Sequence, residues 1–187
     1  MPALFTPRAN VAIRTALIGA AVLLVVSSTA IWALARSPAA TGQYRALRQP
    51  VPFSHPLHVN GLRIDCRYCH ASVERAAPAG LPPTSACVPC HQDIVIGSNL
   101  FASIRASLAT GRAIPWRRVS SVPDFVFFNH AAHVHAGVAC DTCHGPVPLM
   151  ETVYQAAPLT MEWCVDCHRA ANRYGARQLT SCTTCHR

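Results

Sequence analysis

Cys140-Asp141-Thr142-Cys143-His144 is one of five stretches of the form Cys-x-x-Cys-His in this 187-residue chain, and the repetition decides its architecture. The others are Cys66-Arg67-Tyr68-Cys69-His70, Cys87-Val88-Pro89-Cys90-His91, Cys164-Val165-Asp166-Cys167-His168 and Cys182-Thr183-Thr184-Cys185-His186. Together they use all ten cysteines. The spacing is the attachment signature of c-type haem: two thiols bond the porphyrin and the imidazole that follows meets the iron as proximal ligand. Paired Cys-x-x-Cys also builds zinc ribbons, but zinc does not account for a histidine after every pair. With ten histidines in the chain, five such placements by chance have a probability on the order of 10⁻⁷. The expectation is five covalent haems c, with His70, His91, His144, His168 and His186 as proximal ligands.

Composition agrees with that expectation once the cofactor is counted. The motifs run from Cys66 to His186, which leaves about 25 residues per haem, too little chain for a protein core around each. The haems must supply much of the apolar interior, so short helices and irregular chain are expected, in keeping with fifteen prolines. The formal charge of +8 would by itself point to an acidic partner or nucleic acid. Ten propionates, ionised near neutrality, bring the balance to about −2. All sixteen basic residues are arginine, whose forked guanidinium suits propionate pairing. Nucleic-acid binding is therefore excluded.

Working toward the N-terminus, Thr15 to Ala35 carries no ionisable group. As a helix this run spans about 31 Å, enough for the hydrocarbon core of a bilayer. Arg8 and Arg14 precede it, which favours a cytoplasmic N-terminus and export of the remainder, although Arg36, Arg45 and Arg48 follow. Ala33-Leu34-Ala35 has the form of a signal-peptide cleavage site, but the apolar run exceeds the usual signal core. A retained anchor is expected. Residues 1–36 then form a cytoplasmic stub and transmembrane anchor, 37–52 a linker, and 53–187 a pentahaem domain facing the bacterial periplasm.

That domain repeats itself. Phe53-Ser54-His55-Pro56-Leu57-His58 precedes the first motif, and Phe128-Asn129-His130-Ala131-Ala132-His133 precedes the third. First histidine and first cysteine are 11 and 10 residues apart, and the paired motifs begin 21 and 24 residues apart. This self-similarity predicts two duplicated dihaem modules, 53–91 and 128–168, with a fifth haem at 182–186. Between them, Leu100, Phe101, Ile104 and Leu108 recur at helical spacing up to a capping Gly111. The stretch around Pro115, Trp116 and Pro123 is expected to be extended.

Distal ligands decide the chemistry, because a haem with both faces ligated passes electrons and an open face can bind substrate. His55 with His58, and His130 with His133, lie three apart, so each pair on a helical turn can reach two different haems. The remaining candidates for the fifth iron are Met150, Met161 and His135. A lone methionine is more often packing, and His135 has no counterpart in the first module.

The Phe-x-His-x-x-His arrangement ahead of Cys-x-x-Cys-His resembles class III multihaem cytochromes c. The stretches FSHPLHVNGLRIDCRYCH, PDFVFFNHAAHV, PLTMEWCVDCHR and TSCTTCHR are similar to the pentahaem membrane-anchored subunit of alternative complex III, over roughly residues 10–187. The resemblance implies a bacterial assembly that oxidises quinol and passes electrons to a periplasmic carrier or an oxidase. It implies an iron–sulfur subunit, a polytopic quinol-binding subunit and a monohaem cytochrome c as partners. It also matches His55, His58, His130 and His133 to distal ligands and Met150 and Met161 to methionine positions. Unlike many relatives, the chain has no lysine and is short after the fifth motif.

Two other classes fit less well. A stand-alone membrane-anchored quinol dehydrogenase has one helix and four haems, not five with duplicated histidine pairs. A multihaem nitrite-type reductase needs an open iron face, whereas seven candidate distal ligands serve five irons here. The expected role is thus an electron-transfer subunit without a catalytic residue of its own.

Overall fold

A computed structural model describes residues 6–94, 97–172 and 179–186. It divides into two compact units, one up to Thr41 and one from Gly42. The first is dominated by helix α1, Pro7–Arg36, which is longer at its start than the apolar run alone indicates. Thr6 caps it, accepting from the Ala9 N–H at 3.3 Å, and Pro7 occupies the first turn, where no N–H is needed. Its mean hydropathy over an 18-residue window is 2.2 and none of its residues is buried. By length and composition it can cross a membrane. Its hydroxyls are satisfied within the helix: Thr15 donates to Val11 O, Ser27 to Leu24 O, Ser28 to Val25 O, and Thr29 to Val25 O. That internal bonding lets polar side chains sit in an apolar span. At the far end the Arg36 guanidinium lies 4.3 Å over the Trp32 ring, an aromatic–cation pair of the kind that sits at a membrane interface. A single turn, α2 (Pro38–Thr41), follows.

The second unit has no strand among its described residues. In chain order it contains a π-helical turn at Pro56–Gly61, then α3 (Cys66–Cys69), α4 (Val88–His91), α5 (Ala102–Thr110), α6 (His130–His135), α7 (Cys140–His144), α8 (Met161–Asn172) and α9 (Cys182–Cys185). α5 ends as its sequence requires, with Gly111 in the left-handed region at φ 67°. The chain from Pro115 to Pro123 is irregular. Residues 43–50, which read as a linker, are stitched to the domain. Gln43 Nε2 donates to Ala156 O, the Tyr44 N–H donates to Gln155 O, and the Gln49 amide exchanges two hydrogen bonds of 2.9 Å with the Arg117 backbone.

The protein core is small. Val51, Ile104 and Ile114 are buried together, with Cys87, Phe101 and Trp116 packed on them. Met150 and Ala157 are buried elsewhere, and among the described residues no large side chain is fully enclosed. So few buried apolar groups cannot offset the conformational entropy of ordering a domain of this length. The expected haems would supply the further apolar body such a fold needs.

Candidate cofactor and iron-ligand sites

All five Cys-x-x-Cys-His motifs fall on helical turns, and the reason is local. One turn puts the two sulfurs three residues apart on one side. The histidine closes the turn by donating its backbone N–H to the carbonyl of the first cysteine, at 2.9 Å for His70, 3.0 Å for His91 and 2.8 Å for His186. In α3, Asp65 caps the turn by accepting from the Arg67 N–H at 2.8 Å. Its carboxylate also takes the Arg67 side chain, whose hydrogen bonds hold the Asp65 carboxyl down to about 2. Arg67 reaches Glu74 as well, at 3.0 Å, and Arg169 pairs with Asp166; these two arginines have carboxylate partners within the chain. No thiol is in a disulfide, and all ten are exposed or half-buried.

The imidazoles come together in pairs. Ring centres of His58 and His91 lie 6.0 Å apart, those of His130 and His144 6.3 Å, and those of His133 and His168 6.0 Å. These separations exceed the 4.3–4.7 Å at which Phe53 and Phe128 meet the same histidines. They match two imidazoles on one metal: about 2.0 Å from metal to nitrogen, plus about 1.1 Å from nitrogen to ring centre on each side, gives about 6.2 Å. His55 has His70 as its electrostatic neighbour, and burial, then His70 and His58, holds the His55 imidazole down to about 4. Burial lowers His144 too, with His130 and His70 adding to the effect.

Second nitrogens are committed to the backbone. Nδ1–H of His70 donates to Gly80 O at 2.9 Å, that of His91 to Ile94 O at 3.3 Å, that of His168 to Leu179 O at 2.9 Å and that of His186 to Phe125 O at 3.2 Å. His58, His130 and His133 donate likewise to Ser54 O, Ala77 O and Asn129 O, each at 2.8 Å. A carbonyl can only accept, so each of these rings carries its proton on Nδ1 and keeps the Nε2 lone pair for a metal. That tautomer lock is typical of ligating histidine. His55 differs: its Nδ1 is buried without a partner.

The two Phe-x-His-x-x-His segments share one geometry. Phe53 meets His55 edge-on at 4.8 Å and lies along His58 at 4.3 Å; Phe128 meets His130 and His133 at 4.7 and 4.5 Å with closely similar tilts. The ring-holding role of Phe53 and Phe128 was legible, since both stand in the repeated pattern. The carbonyls of Ala77, Gly80, Leu179 and Phe125 were not, because every residue offers one. Among the remaining candidates, His135 is exposed on α6. Met161 is 69% exposed at the start of α8, whereas Met150 is only 4% exposed.

Gly145, next to His144, adopts φ 69° and ψ −164°, a region open essentially to glycine alone. A Cβ there would also lie 2.6 Å from the Ala156 Cβ. Gly145→Ala is expected to cost about 1–3 kcal/mol and to displace His144, read as a lower denaturation midpoint together with loss of one low-spin iron signal.

Residues 126–187 match the family described as cytochrome c7 and related cytochrome c. The chain is also similar to the multihaem cytochrome c subunit of menaquinone reductase from Nitratidesulfovibrio vulgaris (strain Hildenborough). The two are 31% identical over 167 residues, covering 77% of this chain and 79% of that protein. The imidazole pairs, their fixed tautomers and the free thiols fit covalently bound haem c, the cofactor of these families.

Proposed function

Because the chain belongs to the family of multihaem cytochromes c that includes the menaquinone reductase subunit, we propose that it is a pentahaem electron-transfer subunit of a quinol-oxidising membrane complex, as in alternative complex III. Bound haem c supplies a one-electron iron couple. The ten cysteines would hold five haems on modules 53–91 and 128–168 and on the fifth site, 182–186. His55 with His70, His58 with His91, His130 with His144, and His133 with His168 would close both faces of four irons. The observation that carries this reading is the imidazole spacing of 6.0–6.3 Å in three of those pairs. Ligation on both faces leaves the protein to position and insulate, so the chain acts as a conductor and the chemistry on quinol belongs to a partner.

Met161 is the methionine that would hold the fifth iron together with His186. It stands three residues before Cys164 on α8, and the Cys164 thiol neighbours Cys185 of the fifth site. Its side chain is exposed, open to a cofactor, while Met150 is enclosed. Helix α1 serves as the retained anchor, with Trp32 and Arg36 at the outer interface and the haem domain in the periplasm. The partners are an iron–sulfur subunit, a polytopic quinol-binding subunit and a monohaem cytochrome c, with a carrier or oxidase as acceptor. The relative's name favours a second reading, in which the same wire delivers electrons to menaquinone.

Purification from membranes tests both. The intact chain, its N-terminus near Met1, should co-purify with a polytopic subunit, and added quinol should reduce its haems. Reduction of menaquinone by haems loaded from a periplasmic donor, without the reverse reaction, favours the second reading. A soluble protein beginning at Arg36 removes the anchor, and one that copurifies with nothing removes the complex.

A further inference from the structure

We infer that the five attachment sites form one unbranched row in the order second, first, third, fourth, fifth, so that redox partners meet this subunit at its two ends, Cys87–His91 and Cys182–His186. The inference rests on the pentahaem reading above and concerns only how the chain arranges its own sites.

Each joint in the row has its own contact. The first and second sites meet at Phe53, whose ring touches both His55, which faces His70, and His58, which pairs with His91. The Cys69 and Cys87 thiols are neighbours there. The third and fourth sites meet in the same way at Phe128, between His130 and His133, and Cys143 neighbours Cys164 and Cys167.

The modules join through backbone. Ala77 O accepts both the backbone N–H of His130, at 3.0 Å, and its Nδ1–H, at 2.8 Å. Ala77 lies on the loop between His70 and Gly80, whose carbonyl fixes the His70 ring. One loop of the first module thus holds ligands of the first and third sites, and the Cys66 and Cys140 thiols are electrostatic neighbours beside it. Fourth and fifth sites join where Leu179 O, three residues before Cys182, takes the His168 Nδ1–H, with Cys164 beside Cys185.

Each terminal site also touches chain outside the row. His91 lies 4.7 Å from the Phe101 ring, and Cys87 packs on the Val51, Ile104 and Ile114 core. At the other end, Cys185 O accepts from the Phe127 N–H at 2.8 Å and His186 donates to Phe125 O. The row therefore runs backwards through the first module. Consecutive sites share a ring or a loop, which is the contact that stepwise electron passage needs.

Iron positions from anomalous diffraction on the full, haem-loaded chain test this directly. Five irons with nearest neighbours second–first, first–third, third–fourth and fourth–fifth are expected. Five irons in another order, such as second beside third, overturn the row and leave the pentahaem reading standing. Fewer than five overturn both. In solution, His58→Met should move the midpoint of one neighbouring haem, because its site is terminal, whereas His130→Met should move two. Equal numbers of affected neighbours in the two variants would likewise overturn the row.

Discussion

Replacing His133 with alanine is expected to convert one iron from six-coordinate low-spin to high-spin and to open it to cyanide, while the other four remain low-spin. The expectation follows from the 6.0 Å separation of His133 from His168 and from the Asn129 carbonyl, which holds the His133 Nδ1–H and leaves Nε2 open to a metal. His135→Ala, two residues away on the same helix but exposed, should change neither spin state nor cyanide binding. Magnetic circular dichroism and electron paramagnetic resonance on the full chain read both outcomes. Because a step with one face open no longer matches its neighbours in potential, electron passage through the fourth site should slow in His133→Ala. A native protein that already holds a high-spin iron binding cyanide or nitrite rapidly would overturn the conductor reading in favour of catalysis.

Met161→Ala should abolish the methionine–iron charge-transfer band and lower one midpoint potential. Axial ligation spans about 0.8 V across haem proteins, and exchange of a thioether for a weaker or water ligand at one site should register as a shift on the order of 0.1 V. That site would be the electron sink of the unmodified chain, since a thioether favours the reduced iron. Met150→Ala should behave in the opposite way. Met150 is 4% exposed, with its methyl group close to Gly145, so its loss leaves a cavity costing about 2–5 kcal/mol with the charge-transfer band intact. Denaturation midpoints and potentiometric titration separate the two. Loss of the band in Met150→Ala instead would exchange their roles.

Much of the candidate site was legible because the attachment of haem c is a local matter. Two thiols and an imidazole on one helical turn need nothing but adjacency in sequence, so α3, α4, α7, α8 and α9 follow from Cys-x-x-Cys-His alone. The paired His55/His58 and His130/His133 were legible for the same reason, as was α5 with its Gly111 cap. Where sequence left Met150 and Met161 equal, burial separates them. Both are lone methionines, and one-dimensional spacing carries no information about which one the fold encloses. The segment 43–50 looked like free linker because its bonds run through backbone carbonyls and amide side chains to residues more than sixty positions away.

The sequence by itself determined the five Cys-x-x-Cys-His motifs that fit haem c, the repeated histidine pairs and an apolar run long enough for a membrane. Each of these depends on residues within about one or two turns of each other, where covalent geometry fixes what can meet. Only the tertiary structure decided which imidazole ahead of a motif stands 6.0–6.3 Å from which motif histidine, which carbonyl locks each ring, and that the loop holding Ala77 borders His130. Those are contacts across tens of residues, such as the 53 between Ala77 and His130. They are made by backbone groups that every residue possesses, so no side-chain pattern announces them, and packing alone selects among them.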